Sequence, residues 1–177
     1  ELISTEHHTE AWRGIIASVR RHYPGAVTYS CNWDHYRAVT FHGDLDVVGL
    51  SGYYSLPYDA LLTAEAVELN WREVKAELVQ YSHEINRRLL FTEIGYPSVH
   101  GASRDPWNYQ MVGEPAPGEQ ARSLAAFFNV WSGTLELDGV FVWNYSPFRA
   151  GSLDTSYSIN GKPAAEVVRS WFQRRGI

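Results

Sequence analysis

The chain has 177 residues and a mass of 20.1 kDa, the size of one domain with a substantial core. Apolar residues at 45% and charged residues at 20% exclude a disordered chain, and no stretch approaches the roughly 20 consecutive apolar residues of a membrane-spanning helix. A net charge of −5, with fifteen Lys and Arg that form no long basic block, argues against nucleic acid as the main partner.

In chain order, the first predicted helix runs from Glu6 to Tyr23. Thr5 is placed to cap it, Glu6 and Glu10 lie in its early turns, and Arg20, Arg21 and His22 lie at its end, a polarity that suits the helix dipole. Pro24-Gly25 stops it. Ala26 to Cys31 then reads as a strand ending in Asn32-Trp33-Asp34, and Asp46 to Ser51 as a second ending in Gly52-Tyr53-Tyr54. From Ala64 to Asn86, Val67, Trp71, Val74, Leu78, Tyr81 and Ile85 recur in steps of four and three, the stripe of an amphipathic helix. Leu89 to Thr92 is a buried strand leading into Glu93-Ile94-Gly95-Tyr96-Pro97. A loop rich in Pro and Gly follows, from Ser98 to Pro117, and then a helix from Gly118 to Ser132. Gly139 to Trp143 is the fourth strand, and Pro163 is placed to start the last helix.

Strands and helices alternate, and the strands are continuous apolar runs, the pattern of a parallel sheet buried on both faces. An open doubly wound sheet would usually bring a Gly-rich phosphate loop, and none is present. Each strand instead ends in polar or aromatic residues, as in a (β/α)8 barrel, where function collects at the C-terminal ends of the strands. A complete barrel needs roughly 250 residues. The expectation is therefore an α/β fold and a partial TIM barrel: strands 5 to 8, with Glu1 ending strand 4. Residues 1–177 would form one domain whose N-terminal half is missing, with raw sheet edges at strands 5 and 8 that invite pairing with another chain.

Glu93 is the sharpest candidate site. A carboxylate closing an apolar strand is costly to bury unless it is paired or functional. Strand alternation puts it on the side of Leu89 and Phe91. Cleaving a glycosidic bond usually takes two carboxyl groups, and Glu1 is the candidate partner. As the terminal residue, Glu1 reads equally well as frayed and solvated. Seven Trp, eleven Tyr and seven Phe are enough to supply both core and stacking surface. Trp33 and Trp107 lie on segments that should reach the mouth of the barrel, where Asp34 and Asn144 could hydrogen-bond hydroxyls. Trp12, Trp71, Trp131 and Trp171 fall on helical stripes and read as core. The seven histidines read as surface residues, and His7-His8 make a poor metal pair. Cys31, the single cysteine, reads as an inert buried thiol and can form no internal disulfide. Ser51 and Ser98 lack a nucleophile-elbow pattern.

Taken together, Glu1-Leu2-Ile3-Ser4-Thr5-Glu6, Leu50-Ser51-Gly52-Tyr53-Tyr54, Phe91-Thr92-Glu93-Ile94-Gly95-Tyr96-Pro97-Ser98 and Val140-Phe141-Val142-Trp143-Asn144-Tyr145 resemble, in that order, a clan A glycoside hydrolase. The likeness is greatest to glycoside hydrolase family 113, which contains β-mannanases, and it spans nearly the whole chain as the second half of that barrel. The resemblance implies that Glu93 is the nucleophile and Glu1 the acid/base of a retaining mechanism. It implies that Tyr53 hydrogen-bonds the nucleophile, with Tyr54 as the fallback, and that Trp143 floors the cleavage subsite. It implies an oligo- or polysaccharide substrate and no metal or organic cofactor. The alternative is a barrel-like sugar-binding or structural domain that keeps the aromatic cleft without catalysis; metal-assisted hydrolysis would need strand-end ligands that the sequence does not supply. No signal peptide is visible at Glu1-Leu2-Ile3-Ser4, and the compartment is not legible.

Overall fold

The computed structural model describes residues 2–56 and 64–174; Glu1 lies outside the described residues. They contain helices α1 (Thr9–Arg20), α2 (Ala64–Ile85), α3 (Pro117–Trp131) and α4 (Pro163–Arg174) and strands β1 (Ser30–Asn32), β2 (Val47–Ser51), β3 (Arg88–Ile94) and β4 (Leu137–Val142). The strands lie side by side in the order β1-β2-β3-β4, and the β1/β2 and β2/β3 pairs are parallel. A doubly wound sheet reverses its strand order at a switch point. This sheet advances one strand per crossover, the path of a barrel wall, with β1 and β4 at its edges. The fold is a partial (β/α)8 barrel.

The chain divides into two compact units. The first comprises Glu1–Gly52, Glu77–Glu93 and Thr134–Phe141, and the second Tyr53–Ala76, Ile94–Gly133 and Val142–Ile177. In the first, Trp12 stacks on Phe41 with ring centroids 5.2 Å apart, and Tyr29 meets both rings edge-on. Leu78 and Tyr81 of the predicted α2 stripe are buried here. Cys31 is fully buried, its thiol donating to the Gly49 carbonyl. Gly49 is required by close approach: a Cβ there would lie 2.7 Å from both Thr28 Oγ1 and the Tyr29 carbonyl.

The expectations for the start of α1 and for His42 fail in this unit. Helix α1 starts at Thr9 after His8, with no side-chain cap, while Thr5 ends a short 3-10 turn and its hydroxyl bonds back to the Leu2 carbonyl. Glu6 is thus not a first-turn helix residue. It is 4% exposed and accepts a hydrogen bond from the Tyr29 hydroxyl. His42 is likewise not on the surface but buried. The Tyr81 hydroxyl donates to the Tyr36 carbonyl, so His42 Nδ1 donates to Tyr81 and the ring is neutral, with Nε2 enclosed among the described residues without a partner.

Burial lowers the His42 pKa from its ordinary 6.5 to about 4. Between those values the unfolded chain binds a proton that the folded chain refuses. The stability His42 contributes is therefore complete above pH 6.5 and is lost as the pH falls toward 4, by on the order of 3 kcal/mol. Urea denaturation from pH 7 to 4.5 is expected to show a steeper fall for the wild type than for His42→Gln. Equal slopes would refute the assignment.

The second unit holds the larger aromatic core. Trp71 of α2 meets Phe127 edge-on at 5.0 Å, and Phe128 of α3 lies 4.6 Å from Trp171 of α4. Trp71, Trp131 and Trp171 are buried, as their helical stripes predict. Lys75 donates to the Val130 carbonyl and so serves the C-terminal end of α3.

One feature of β3 decides where its carboxylate points. The register pairs Gly49 with Leu90 and Leu50 with Phe91, and then Ser51 with Glu93, skipping Thr92. That extra residue is a β-bulge, and it resets the alternation. Glu93 therefore lies on the face of Gly49, Leu90 and Thr92, opposite the fully buried Leu89 and Phe91. The expectation that Leu89, Phe91 and Glu93 share a side is wrong, because simple period-2 counting assumes an unbroken ladder. A Cβ at Gly139 would lie 3.2 Å from Leu90, which puts the β4 residues Gly139 and Phe141 on this same inner face.

Candidate active site

In the first unit, the strand C-termini bring polar groups together. Glu93, half-buried, ends the first unit's part of β3, and its carbonyl accepts from the Gly52 amide, extending the β2/β3 ladder beyond the bulge. Ser51 Oγ lies 3.4 Å from both the Cys31 carbonyl and Asn32 Oδ1. Thr92 and Ser30 share a hydroxyl–hydroxyl bond. Trp33 is half-buried just past β1. Asp34 pairs with His35 at 2.8 Å, which raises the His35 pKa and engages the carboxylate locally.

Although Glu1 lies outside the described residues, the peptide nitrogen that follows it does not. The Leu2 amide donates to the Tyr29 hydroxyl at 2.9 Å, and that hydroxyl donates to Glu6 at 2.9 Å. Burial, the largest cause, pushes the Tyr29 phenol up to about 12, so it stays protonated as the donor. Tyr29 and Glu6 carry no sequence signal for this task, since nothing local links residues 23 positions apart.

The second unit carries the aromatic part. Tyr53 is half-buried, its ring edge-on to Tyr157 at 6.2 Å. Tyr54 is buried edge-on against Trp71, a core position that leaves Tyr53 as the accessible member of the pair. Trp143 is 46% exposed. Its amide donates to the Ile94 carbonyl at 2.8 Å, and the Trp143–Asn144 peptide is cis. Its carbonyl lies so close over Gly95 that a Cβ there would sit 1.9 Å from the oxygen. Asn144 is half-buried, with Oδ1 enclosed and no partner among the described residues. Trp107, 45% exposed, follows Pro106, whose carbonyl accepts from the Tyr157 hydroxyl. Tyr157 links Tyr53 to the Trp107 loop, and sequence reasoning missed it because it sits in an irregular loop with no periodic neighbours.

Parallel strands in chain order, with a carboxylate and aromatic side chains at their C-terminal ends, define part of a (β/α)8 barrel of the glycoside hydrolase kind. The sequence profile of Glycoside Hydrolase Family 113 matches residues 1–162, and the chain belongs to this family. Among solved structures it is similar to the family 113 β-mannanase AaManA from Alicyclobacillus acidocaldarius in complex with ManMIm, with 31% identity and a TM-score of 0.83 over 98% of this chain and 53% of that one. A family 113 β-1,4-mannanase matches at 25% identity and a TM-score of 0.85, with the same coverage. A β-D-glucuronidase from Dictyoglomus thermophilum, 18% identical with a TM-score of 0.66 over 93% of this chain and 29% of that one, shares the fold. No curated protein matches the chain. The chain spans about half the length of the mannanases, 53%.

Proposed function

We propose that residues 1–177 are the C-terminal part of the catalytic domain of a retaining glycoside hydrolase that cleaves β-1,4-mannan or a related hemicellulose. The observation that carries this reading is the bulge in β3, which turns Glu93 onto the inner face at the C-terminal end of a barrel strand. Bulges recur beside active sites because they re-aim a side chain.

In the proposed mechanism the Glu93 carboxylate attacks the anomeric carbon while Glu1 protonates the departing glycosidic oxygen. Glu1, now ionised, then takes a proton from water, and the resulting hydroxide displaces Glu93 from the sugar. Net retention follows from the two inversions, and such pairs stand about 5–5.5 Å apart. The charge on Glu93 helps hold Glu1 protonated in the first step. Tyr53 orients the nucleophile, and Trp143 supports the sugar ring. Trp33, Trp107, Asp34 and Asn144 contact further sugar units, and Tyr54 supports Tyr53 from the core. The preceding half of the barrel covers the edges at β1 and β4, along with inner-face residues such as Phe141, which is 63% exposed.

The test is hydrolysis of β-1,4-mannan, xylan and aryl β-glycosides by this chain and by a version extended upstream to a full barrel. Cleavage by the extended protein alone supports the reading. An extended protein that binds glycans and cleaves none is a sugar-binding domain instead. Size-exclusion chromatography of this chain is expected to show self-association or aggregation, and a stable folded monomer counts against a missing half.

A further inference from the structure

Gln120 is a buried amide in the first turn of α3, far in sequence from every residue given a role above. Its Nε2 lies 2.9 Å from the Tyr96 carbonyl, 3.1 Å from the Tyr157 carbonyl and 3.5 Å from the Ser156 carbonyl. The first acceptor belongs to the turn after β3, and the other two to the loop between β4 and α4. One side chain thus fastens two loops that follow adjacent strands. Its neighbour Glu119 does similar work on the first loop, accepting from the Gly101 and Ser103 amides and the Ser103 hydroxyl.

The Tyr157 carbonyl has a second donor. The Asn144 amide approaches it at 3.4 Å, and the Asn144 carbonyl accepts from Ile159 at 3.1 Å. Asn144 is joined directly to Trp143, so the carbonyl held by Gln120 also anchors the segment that presents the exposed indole. The Ser156 carbonyl, by contrast, keeps other donors in Lys162 Nζ and the Ser98 amide, and does not depend on Gln120. Without the amide the Tyr96 carbonyl loses its 2.9 Å donor and the Tyr157 carbonyl is left with the longer 3.4 Å bond from Asn144, the route by which the loss would reach Trp143.

We infer that Gln120 is a positioning residue for carbohydrate binding: by fastening the Tyr157 carbonyl to the turn after β3, it sets the Trp143 platform through Asn144. This rests on the hydrolase reading above. A shift of a stacking platform by about an ångström costs on the order of 10- to 100-fold in kcat/KM.

The test is a double-mutant cycle in the extended barrel, assayed on mannan oligosaccharides. Gln120→Met keeps the volume and removes the donor. It is expected to lower kcat/KM by about 10- to 100-fold, chiefly through KM. In a Trp143→Ala background the same substitution is expected to cost less than about twofold, because the group it acts through is gone. An equal loss in both backgrounds, or none in either, overturns the inference and leaves Gln120 a stability residue. Should Gln120→Met fail to fold, as judged by its thermal midpoint, Gln120→Leu takes its place in the same cycle: it is of similar volume and holds no donor. A wild type that cleaves nothing removes the hydrolase reading and this inference with it, whereas an active wild type with an additive cycle removes this inference alone.

Discussion

Glu93→Gln in the extended barrel is expected to lower kcat on mannan by at least about a thousandfold, with sugar binding retained, since removing a nucleophile abolishes the covalent route and leaves the rest of the cleft intact. Gln has nearly the shape of Glu, so the β3 bulge and the ladder bond from Gly52 to the residue 93 carbonyl should persist. A cavity-forming Glu93→Ala variant separates the two carboxyl roles. Azide fits the vacated space and attacks the anomeric carbon from the face Glu93 would have used. With an activated aryl glycoside, the product is then a glycosyl azide of inverted configuration. The equivalent experiment at Glu1 should instead give a glycosyl azide of retained configuration, because the nucleophile there is intact. NMR of the azide products reads both outcomes. Undiminished hydrolysis by Glu93→Gln would exclude its assignment as nucleophile.

Gly95→Ala is expected to be the most damaging single-methyl change in the second unit. The new Cβ would meet the Trp143 carbonyl oxygen at 1.9 Å and its carbon at 3.0 Å. Both are backbone atoms, so no rotamer change relieves the overlap. The Trp143 amide is simultaneously tied to Ile94, which leaves the strand end little freedom to retreat. Overpacking of this kind costs about 1–3 kcal/mol where neighbours can adjust, and more where they cannot. A loss of at least about 3 kcal/mol is expected, a fall of roughly 10 °C in Tm for a chain of this size. Activity of the extended barrel should fall further than stability alone explains, because the indole is displaced. Differential scanning calorimetry together with kcat/KM tests both parts. A variant with wild-type Tm and activity would contradict the close approach of the two strand ends.

Much of the barrel is legible locally. The steps of four and three in α2, the apolar runs of β2 and β3, and the proline at the start of α4 each follow from residues within a few positions of one another. The strand-end positions of Glu93 and Trp143 follow in the same way, since a strand must stop where Gly95-Tyr96-Pro97 or Asn144 turns the chain. So does the burial of Trp71, Trp131 and Trp171.

Other features were settled only by partners distant in sequence. The face on which Glu93 lies depends on how β3 pairs with β2, some forty residues earlier, and a bulge has no signature in the strand that carries it. Tyr53 and Tyr54 look alike in sequence, and only the packing of Tyr54 on Trp71 tells them apart. His42 reads as a surface residue, and Glu6 as part of the first helical turn, until Tyr81 and Tyr29 close over them. Gln120 has no periodic or motif signal, because its acceptors are carbonyls, which every residue possesses. The sequence by itself determined the order of elements and the residues at the strand ends, through periodicity and turn chemistry. Tertiary structure alone decided which way those residues face and what holds them, because register and loop contacts come from pairing between segments far apart along the chain.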